Sequence, residues 1–414
     1  MRLRNRVLLL GVVLTMAVAG FGAKSANQKR LERLLKRAMI VDLHSDTTQL
    51  ILEEGYNLGE RHDYAQEDIP RMREGRLGAQ FFSLNPNVRR LTALESVKRG
   101  FDELDAVRNE VRMHPQDLVF ATTADDIVRA RRRKKIAILI GLEGGHMIDS
   151  DPRVLRSFFE LGARYMTLTH FLNTPWADSS TDEPLSNGLS PLGRGIVAEM
   201  NRLGMMVDIS HVSDKTFYDV LETTQAPVIA SHSSCRALCD AARNMSDDML
   251  RALAENGGVV HINFYAGYLD QKFWEETQRL EERRRREQAA AEALYAVDPR
   301  TGGAQLREVN RKYREILPKV PLSKLLDHFD HAIRVAGIDH VGLGSDFDGV
   351  SDLLPVGMED VSKLPALIEG LIERGYSDRD IEKVLGLNSL RVMREVERVA
   401  RESRNEKPFS PTAP

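Results

Sequence analysis

From about residue 39 onward, short apolar runs recur along the chain, each ending in a polar tip. Eight stand out: 39–44 (MIVDLH), 78–84 (GAQFFSL), 135–143 (KIAILIGLE), 165–170 (YMTLTH), 206–211 (MVDISH), 227–232 (PVIASH), 258–264 (GVVHINF) and 340–346 (HVGLGSD). Near-continuous apolar runs of this length predict strands covered on both faces, as in a parallel sheet. Between them lie stretches with apolar residues at helical spacing, such as PRVLRSFFELGA, GRGIVAEMNRLG and SDDMLRALAENGG. Ser246 and Asp247 open the last of these and Gly257 follows it, which is the usual punctuation of a helix. Strand and helix alternating eight times predict an α/β fold, a (β/α)8 TIM-type barrel.

One region breaks the rhythm. Residues 268–318 follow the seventh run and contain LEERRRREQAAAEALYAVD. Glu interleaved with Arg predicts a helical insertion with a solvated face rather than a nucleic-acid surface. The barrel domain is expected over residues 24–405, and the polar, Pro-bearing tail over 406–414 is expected to fray. The first 23 residues have Arg2, Arg4 and Arg6, then an apolar run to about Ala19, with Ala17-Val18-Ala19 fitting a cleavage site. This is the shape of a secretory signal peptide. The alternative is an uncleaved anchor, for which the run is short against the ~20 residues of a spanning helix. Either way an exported protein is expected, periplasmic or extracellular, with any membrane tether through the N-terminus only.

Composition narrows the picture. The chain has 414 residues, 42% hydrophobic and 29% charged, enough for a large core. A net charge of −3 makes nucleic acid an unpromising partner. Its two cysteines, Cys235 and Cys239, make no disulfide scaffold. They would share one face if that segment were helical, and no catalytic role is assigned to them.

The chemistry gathers at the ends of the predicted strands. His44 ends the first, with Asp46 just beyond; Glu143 ends the third, His170 the fourth, His211 the fifth, His232 the sixth and Asp346 the eighth. Barrel active sites sit at this rim. Alone, His44-x-Asp46 could be a turn with Asp46 capping a helix. Four of the eleven histidines at one rim, with three carboxylates, are hard to reconcile with core packing, since each unsatisfied buried polar group costs roughly 1–3 kcal/mol. Imidazole plus carboxylate without thiolate suits Zn²⁺, Mn²⁺ or Co²⁺. Five plausible ligands exceed the three of an open mononuclear zinc site and fit two metals sharing one carboxylate, with His44 and Asp46 on one of them.

Other motifs fail. GLEGGH lacks the order of a phosphate loop, DFDG lacks the spacing and terminal Glu of a calcium loop, and no Ser sits in a G-x-S-x-G elbow. His146, His261 and His340 have weaker claims, with a supporting role open for His146.

The segment GLEGGHMIDSDPRVLRSFFELGARYMTLTHFLNTPWADSS resembles the membrane (renal) dipeptidase family in its EGGH, LGARYMTLTH and NTPWAD elements. DISHVSDKTF, PVIASHSSCRAL, RNMSDDML and GLGSDFDGV match as well, so the resemblance covers roughly residues 38–400 apart from the insertion. It implies a (β/α)8 barrel with two zinc ions: one on His44 and Asp46, the second on His211 and His232, with Glu143 bridging. It also implies that His170 contacts the substrate carbonyl and Arg243 holds the substrate carboxylate. Asp346 would serve as acid and base, passing a proton from a metal-bridging hydroxide to the leaving amine. From the residues alone, Arg243 reads as a surface salt bridge. The implied activity is hydrolysis of dipeptides with a free C-terminal carboxylate, and the resemblance allows a homodimer.

Departures are visible. Cys239 falls where a family cysteine sits but has no distant partner, no apolar tail closes the chain, and the insertion is unusual. A leader with few cysteines suggests a bacterial exported member. Two other readings remain: another binuclear amidohydrolase, lactonase- or deaminase-like, and a non-catalytic binding protein on the same barrel. The first often bridges its metals with a carboxylated lysine, and no Lys stands at a predicted strand tip. The second predicts missing ligands, yet every position is filled.

Overall fold

The computed structural model describes residues 25–86 and 91–411; the leader expected over residues 1–23 lies outside them. Nine strands follow in chain order: β1 Val41–Ser45, β2 Ala79–Leu84, β3 Leu118–Phe120, β4 Ile136–Glu143, β5 Ala163–Thr167, β6 Met206–Asp208, β7 Ile229–Ala230, β8 Val259–Ile262 and β9 Val341–Leu343. They pair in the order β2-β1-β9-β8-β7-β6-β5-β4-β3, and a further β2–β4 pairing closes the sheet. Eight parallel strands therefore form a barrel. The ninth, β3, was not predicted from sequence; it adds only three residues beside the start of β4, at Ile136–Ile138. Among the described residues no helix is long and apolar enough to cross a membrane.

Strand alternation separates two layers of core. On β4, Ile136, Ile138, Ile140 and Leu142 join the layer that includes Phe158, Ile196 and Phe217 of the surrounding helices. Ala137 and Leu139 belong to a separate cluster with Val41, Phe81 and Tyr165 inside the barrel. Each fully buried Leu, Ile or Phe contributes roughly 1.5–3 kcal/mol. Gly141 is required by this interior: a Cβ there would stand 1.9 Å from the Tyr165 ring. The parity that buries Ala137 and Leu139 carries Glu143 into the barrel at its upper rim.

The helical punctuation is as the residues predict for Asp247–Glu255, where the Ser246 side chain accepts from Met249 N. Two long helices, Gln271–Tyr295 and Pro299–Ile316, make up the insertion and pack against each other. The second is pinned to the segment after β1, where Arg307 Nη1 donates to both Glu54 carboxylate oxygens at 2.9 Å. Within the tail expected to fray, Phe409 is held: its N–H donates to Glu199 Oε2 at 3.0 Å, and its ring fills the space over Gly195. Cys235 and Cys239 lie in a turn rather than a helix, both buried and unbridged. Burial raises both thiols, Cys239 to about 12.

Two histidines away from the rim set an acid limit. His261 Nδ1 donates to Ala230 O at 2.9 Å, and its Nε2 lies 3.0 Å from Ser389 Oγ. His328 accepts from Cys235 N and donates to Leu269 O, each at 3.1 Å. Both rings are satisfied as neutral imidazoles, and burial pushes both down to about 4. The unfolded chain takes up these protons near 6.5, so it binds more protons than the fold between about 6.5 and 4, and stability falls as pH falls through that window. In His261→Gln the loss of stability between pH 7 and 4.5, followed by urea unfolding, should be smaller than in the parent by about 2–3 kcal/mol. Equal losses in the two proteins would contradict this.

Candidate metal centre

The strands end earlier than their apolar runs suggest, and the reason is chemical. Only Glu143 closes its strand, and His44 lies within β1. β5 and β6 each stop three residues before His170 and His211, β7 two before His232, and β9 three before Asp346. Buried carboxylates take over from the ladder there. Asp42 Oδ1 accepts from His44 N (3.3 Å) and Ser345 N (2.9 Å); Asp208 Oδ1 accepts from Ser210 N (3.0 Å) and Ser231 N (2.8 Å). The register of β1 on β2 also slips between Asp42 and Ser45. Such a bulge re-aims side chains, and here His44 faces the barrel axis where strict alternation would send it outward. His211 and Asp346 take left-handed backbone angles, φ 67° and 63°. Such conformations cost roughly 1–3 kcal/mol each and gather at functional sites.

These features bring His44, Asp46, Glu143, His170, His211, His232 and Asp346 together, all buried. Glu143 Oε1 lies at the middle, with Nε2 of His211 at 3.1 Å, of His44 and His232 at 3.3 Å each, and of His170 at 3.8 Å. Nε2 of His211 and His232 are 2.9 Å apart. His44 Nε2 is 3.9 Å from both Asp46 Oδ2 and Asp346 Oδ1. Glu143 Oε2 accepts from Asn85 Nδ2 (2.8 Å) and Ser83 Oγ (3.2 Å).

A second row of contacts orients the rings from behind. Ser231 Oγ donates to Asp208 Oδ2 at 2.6 Å and lies 2.8 Å from His232 Nδ1. With its hydrogen committed to the carboxylate, the serine can only accept from Nδ1–H, which leaves the Nε2 lone pair of His232 aimed into the site. His44 Nδ1 meets the Tyr165 hydroxyl at 2.8 Å.

The donor set fits divalent metal. Ligand atoms ~2.0–2.1 Å from a tetrahedral zinc stand about 3.3 Å apart, close to the spacings around Glu143 Oε1. Hydrogen bonding explains them poorly, because one oxygen would serve three imidazoles, while among the described residues His44 Nε2 and Asp46 Oδ1 are buried with no well-formed hydrogen bond. Electrostatics agree. Burial would lower His44, but Glu143, Asp46 and Asp346 outweigh it and hold the ring at about 10. That site asks for positive charge, which a cation supplies in place of the proton. Burial holds His211 and His232 well below their ordinary range, as neutral ligands must be, and His170 at about 4.

Asp346 and Asp348 part company. Asp346 faces His44 and accepts from Asn263 Nδ2 at 2.8 Å; burial lifts its carboxyl to about 6 against the pull of His44. Asp348 turns away, accepting from Thr47 Oγ1 (2.5 Å) and Gln66 N (2.7 Å). Gly349 lets the chain pass, since a Cβ there would sit 2.1 Å from Asp46 Oδ2 and 2.5 Å from Asp346 Oδ1. The site opens into a cavity of about 700 Å³ lined also by Phe171, Arg243, Tyr268 and the first insertion helix. Arg243 is no surface salt bridge: it is 5% exposed, donates from Nη2 to His232 O at 3.2 Å and sits 5.6 Å from the Tyr268 ring centre.

Comparison with known proteins settles the family. The profile described as Membrane dipeptidase (Peptidase family M19) matches residues 28–407. The chain belongs to the membrane dipeptidase family. It is 38% identical to an uncharacterized dipeptidase of Schizosaccharomyces pombe over 91% of this chain and 85% of that one. It is 34% identical to Dipeptidase 3 of Macaca fascicularis over 94% and 71%. Among solved structures, the probable dipeptidase PvdM from Pseudomonas aeruginosa superposes with a TM-score of 0.75 at 27% identity, covering 90% of this chain and 98% of that one. The enzyme is thus a metal-dependent hydrolase on a TIM barrel.

Sequence reasoning missed several residues that shape this dipeptidase site. Asp42 and Asp208 were legible in principle, since both histidine-bearing tips carry an Asp after Val, in VDLH and VDISH. Tyr165 and Asn85 gave no signal, because their roles depend on what the closed barrel brings opposite. His146 Nε2 donates to Asn173 O at 3.0 Å, and His340 Nδ1 donates to Gly258 O at 2.8 Å near the start of β9, so both are spoken for by backbone.

Proposed function

We propose that the enzyme is a binuclear zinc dipeptidase acting on dipeptides with a free C-terminal carboxylate. The observation that carries this reading is Glu143 Oε1, within 3.3 Å of Nε2 of His44, His211 and His232, with Asp46 and Asp346 close by on His44. His44 and Asp46 would hold one ion, His211 and His232 the second, and Glu143 both. Two zinc ions there would polarise the scissile carbonyl and lower the pKa of the attacking water.

The chain's own residues do the rest. His170, neutral and at the cavity wall, offers one N–H to the carbonyl oxygen as it gains charge. Asp346 Oδ1 takes the proton of the attacking water and delivers it to the leaving nitrogen. Asn263 keeps Oδ2 occupied and so fixes which oxygen does this. Arg243 receives the substrate carboxylate. Among the described residues no acid stands in ion-pair contact with it, and its buried Nε has no partner. The Arg-flanked apolar run before residue 20 supports export, which N-terminal sequencing of the mature protein tests.

A planar guanidinium can make two charge-assisted bonds to a carboxylate. Arg243→Ala should therefore lower kcat/KM for a dipeptide roughly a hundredfold, and for its C-terminal amide far less. Equal losses on the acid and the amide would remove the carboxylate-binding role.

A further inference from the structure

The insertion contributes a second guanidinium to the same cavity. In the run Arg283 to Arg286, three arginines pair with a glutamate one turn away: Arg283 with Glu287 at 3.0 Å, Arg285 with Glu281 at 2.7 Å and Arg286 with Glu282 at 3.2 Å. Arg284 is the exception. Its neighbours at i−4 and i+4 are Leu280 and Gln288; Glu281 and Glu287, three residues to either side, pair with Arg285 and Arg283, and among the described residues no carboxylate is in ion-pair contact with Arg284. Its Nη2 donates to Ser351 Oγ at 3.1 Å, its buried Nε has no partner among the described residues, and it lines the cavity that holds Glu143, Arg243 and Asp346. Arg285 lines the cavity as well but is neutralised by Glu281, so of the four Arg284 is the one left with its charge unpaired there.

We propose that Arg284 selects dipeptides carrying an acidic side chain, so that the preferred substrate presents two carboxylates, one to Arg243 and one to Arg284. A half-buried cation without a counter-ion has most to gain from a ligand that brings one, and a hydroxyl such as Ser351 Oγ is readily displaced toward a stronger acceptor. The cavity, at about 700 Å³, has room for a dipeptide with an extended side chain. Placement on the insertion explains what the extra helices add: they wall the mouth and dictate what enters. This inference rests on the dipeptidase reading.

The test compares kcat/KM for dipeptides bearing Glu or Asp with their Gln or Asn isosteres, at the first and the second position, for the zinc-loaded parent, Arg284→Gln and Arg284→Lys. The parent should favour the acid over the amide at one position by roughly tenfold or more, less so at high salt. That ratio should fall to near one in Arg284→Gln and recover in part in Arg284→Lys. An acid-to-amide ratio near one in the parent, or one that survives Arg284→Gln, would overturn the assignment. So would a loss in Arg284→Gln that is equal for acids and amides, the mark of a merely structural wall. A parent inactive on every dipeptide would instead overturn the dipeptidase reading itself.

Discussion

Glu143→Gln should weaken metal binding at both positions by more than about a hundredfold each and abolish turnover at limiting metal. Loss of an outer-sphere contact alone costs 10–100-fold, and this carboxylate faces three imidazoles of the proposed site directly. The substitution does more than remove charge. Ser83 and Asn85 both donate to Oε2, so they will hold the substituted amide with its oxygen on their side. Its NH₂ then points at His44, His211 and His232, a donor where a lone pair is needed. Titration of metal-free protein, followed by calorimetry, reads the two affinities. Loss at one position with the other intact would mean that Glu143 is not shared.

Asp346→Asn should keep both metals and lose roughly 10²–10⁴ in kcat, the worth of a general acid–base step. The amide is isosteric and can still accept from Asn263, but it carries no proton between water and leaving nitrogen. Asp348→Asn is the control, since that carboxylate is occupied by Thr47 and Gln66 N, away from His44. A large loss in Asp348→Asn with near-normal Asp346→Asn would reverse the two residues' roles. Loss of metal in Asp346→Asn would make it a ligand and leave the proton relay without an owner.

Much of this was legible in the sequence, because a barrel built from eight buried strands must put its polar residues at the tips. The apolar runs located the barrel strands, and the tips located the seven side chains that come together at the rim. What the runs could not show is where the ladder stops. At 206–211 and 340–346 the strands end three residues early, because Asp208 and Asp42 accept the backbone N–H groups that a neighbouring strand would otherwise take. The sequence paired His44 with Asp46 on one metal; what it does not show is that a bulge turns His44 inward and that Asp46 precedes a short helical turn, Thr47–Gln49. Arg243 looked like a surface residue because nothing local buries it. In the structure the Tyr268 ring, which arrives from beyond β8, lies 5.6 Å from the Arg243 guanidinium. The insertion was read as a solvated helix, correct for three of its four consecutive arginines. The inward face of the fourth depends on where the helix crosses the mouth, which no periodicity encodes.

The central claim is a shared two-metal site that hydrolyses dipeptides, and one titration tests it most directly. Metal-free protein is given zinc in steps while dipeptide turnover and bound metal are read on the same samples. Activity should be absent without metal and should plateau at two equivalents per chain. Full activity at one equivalent, or turnover that persists in the metal-free protein, would contradict it.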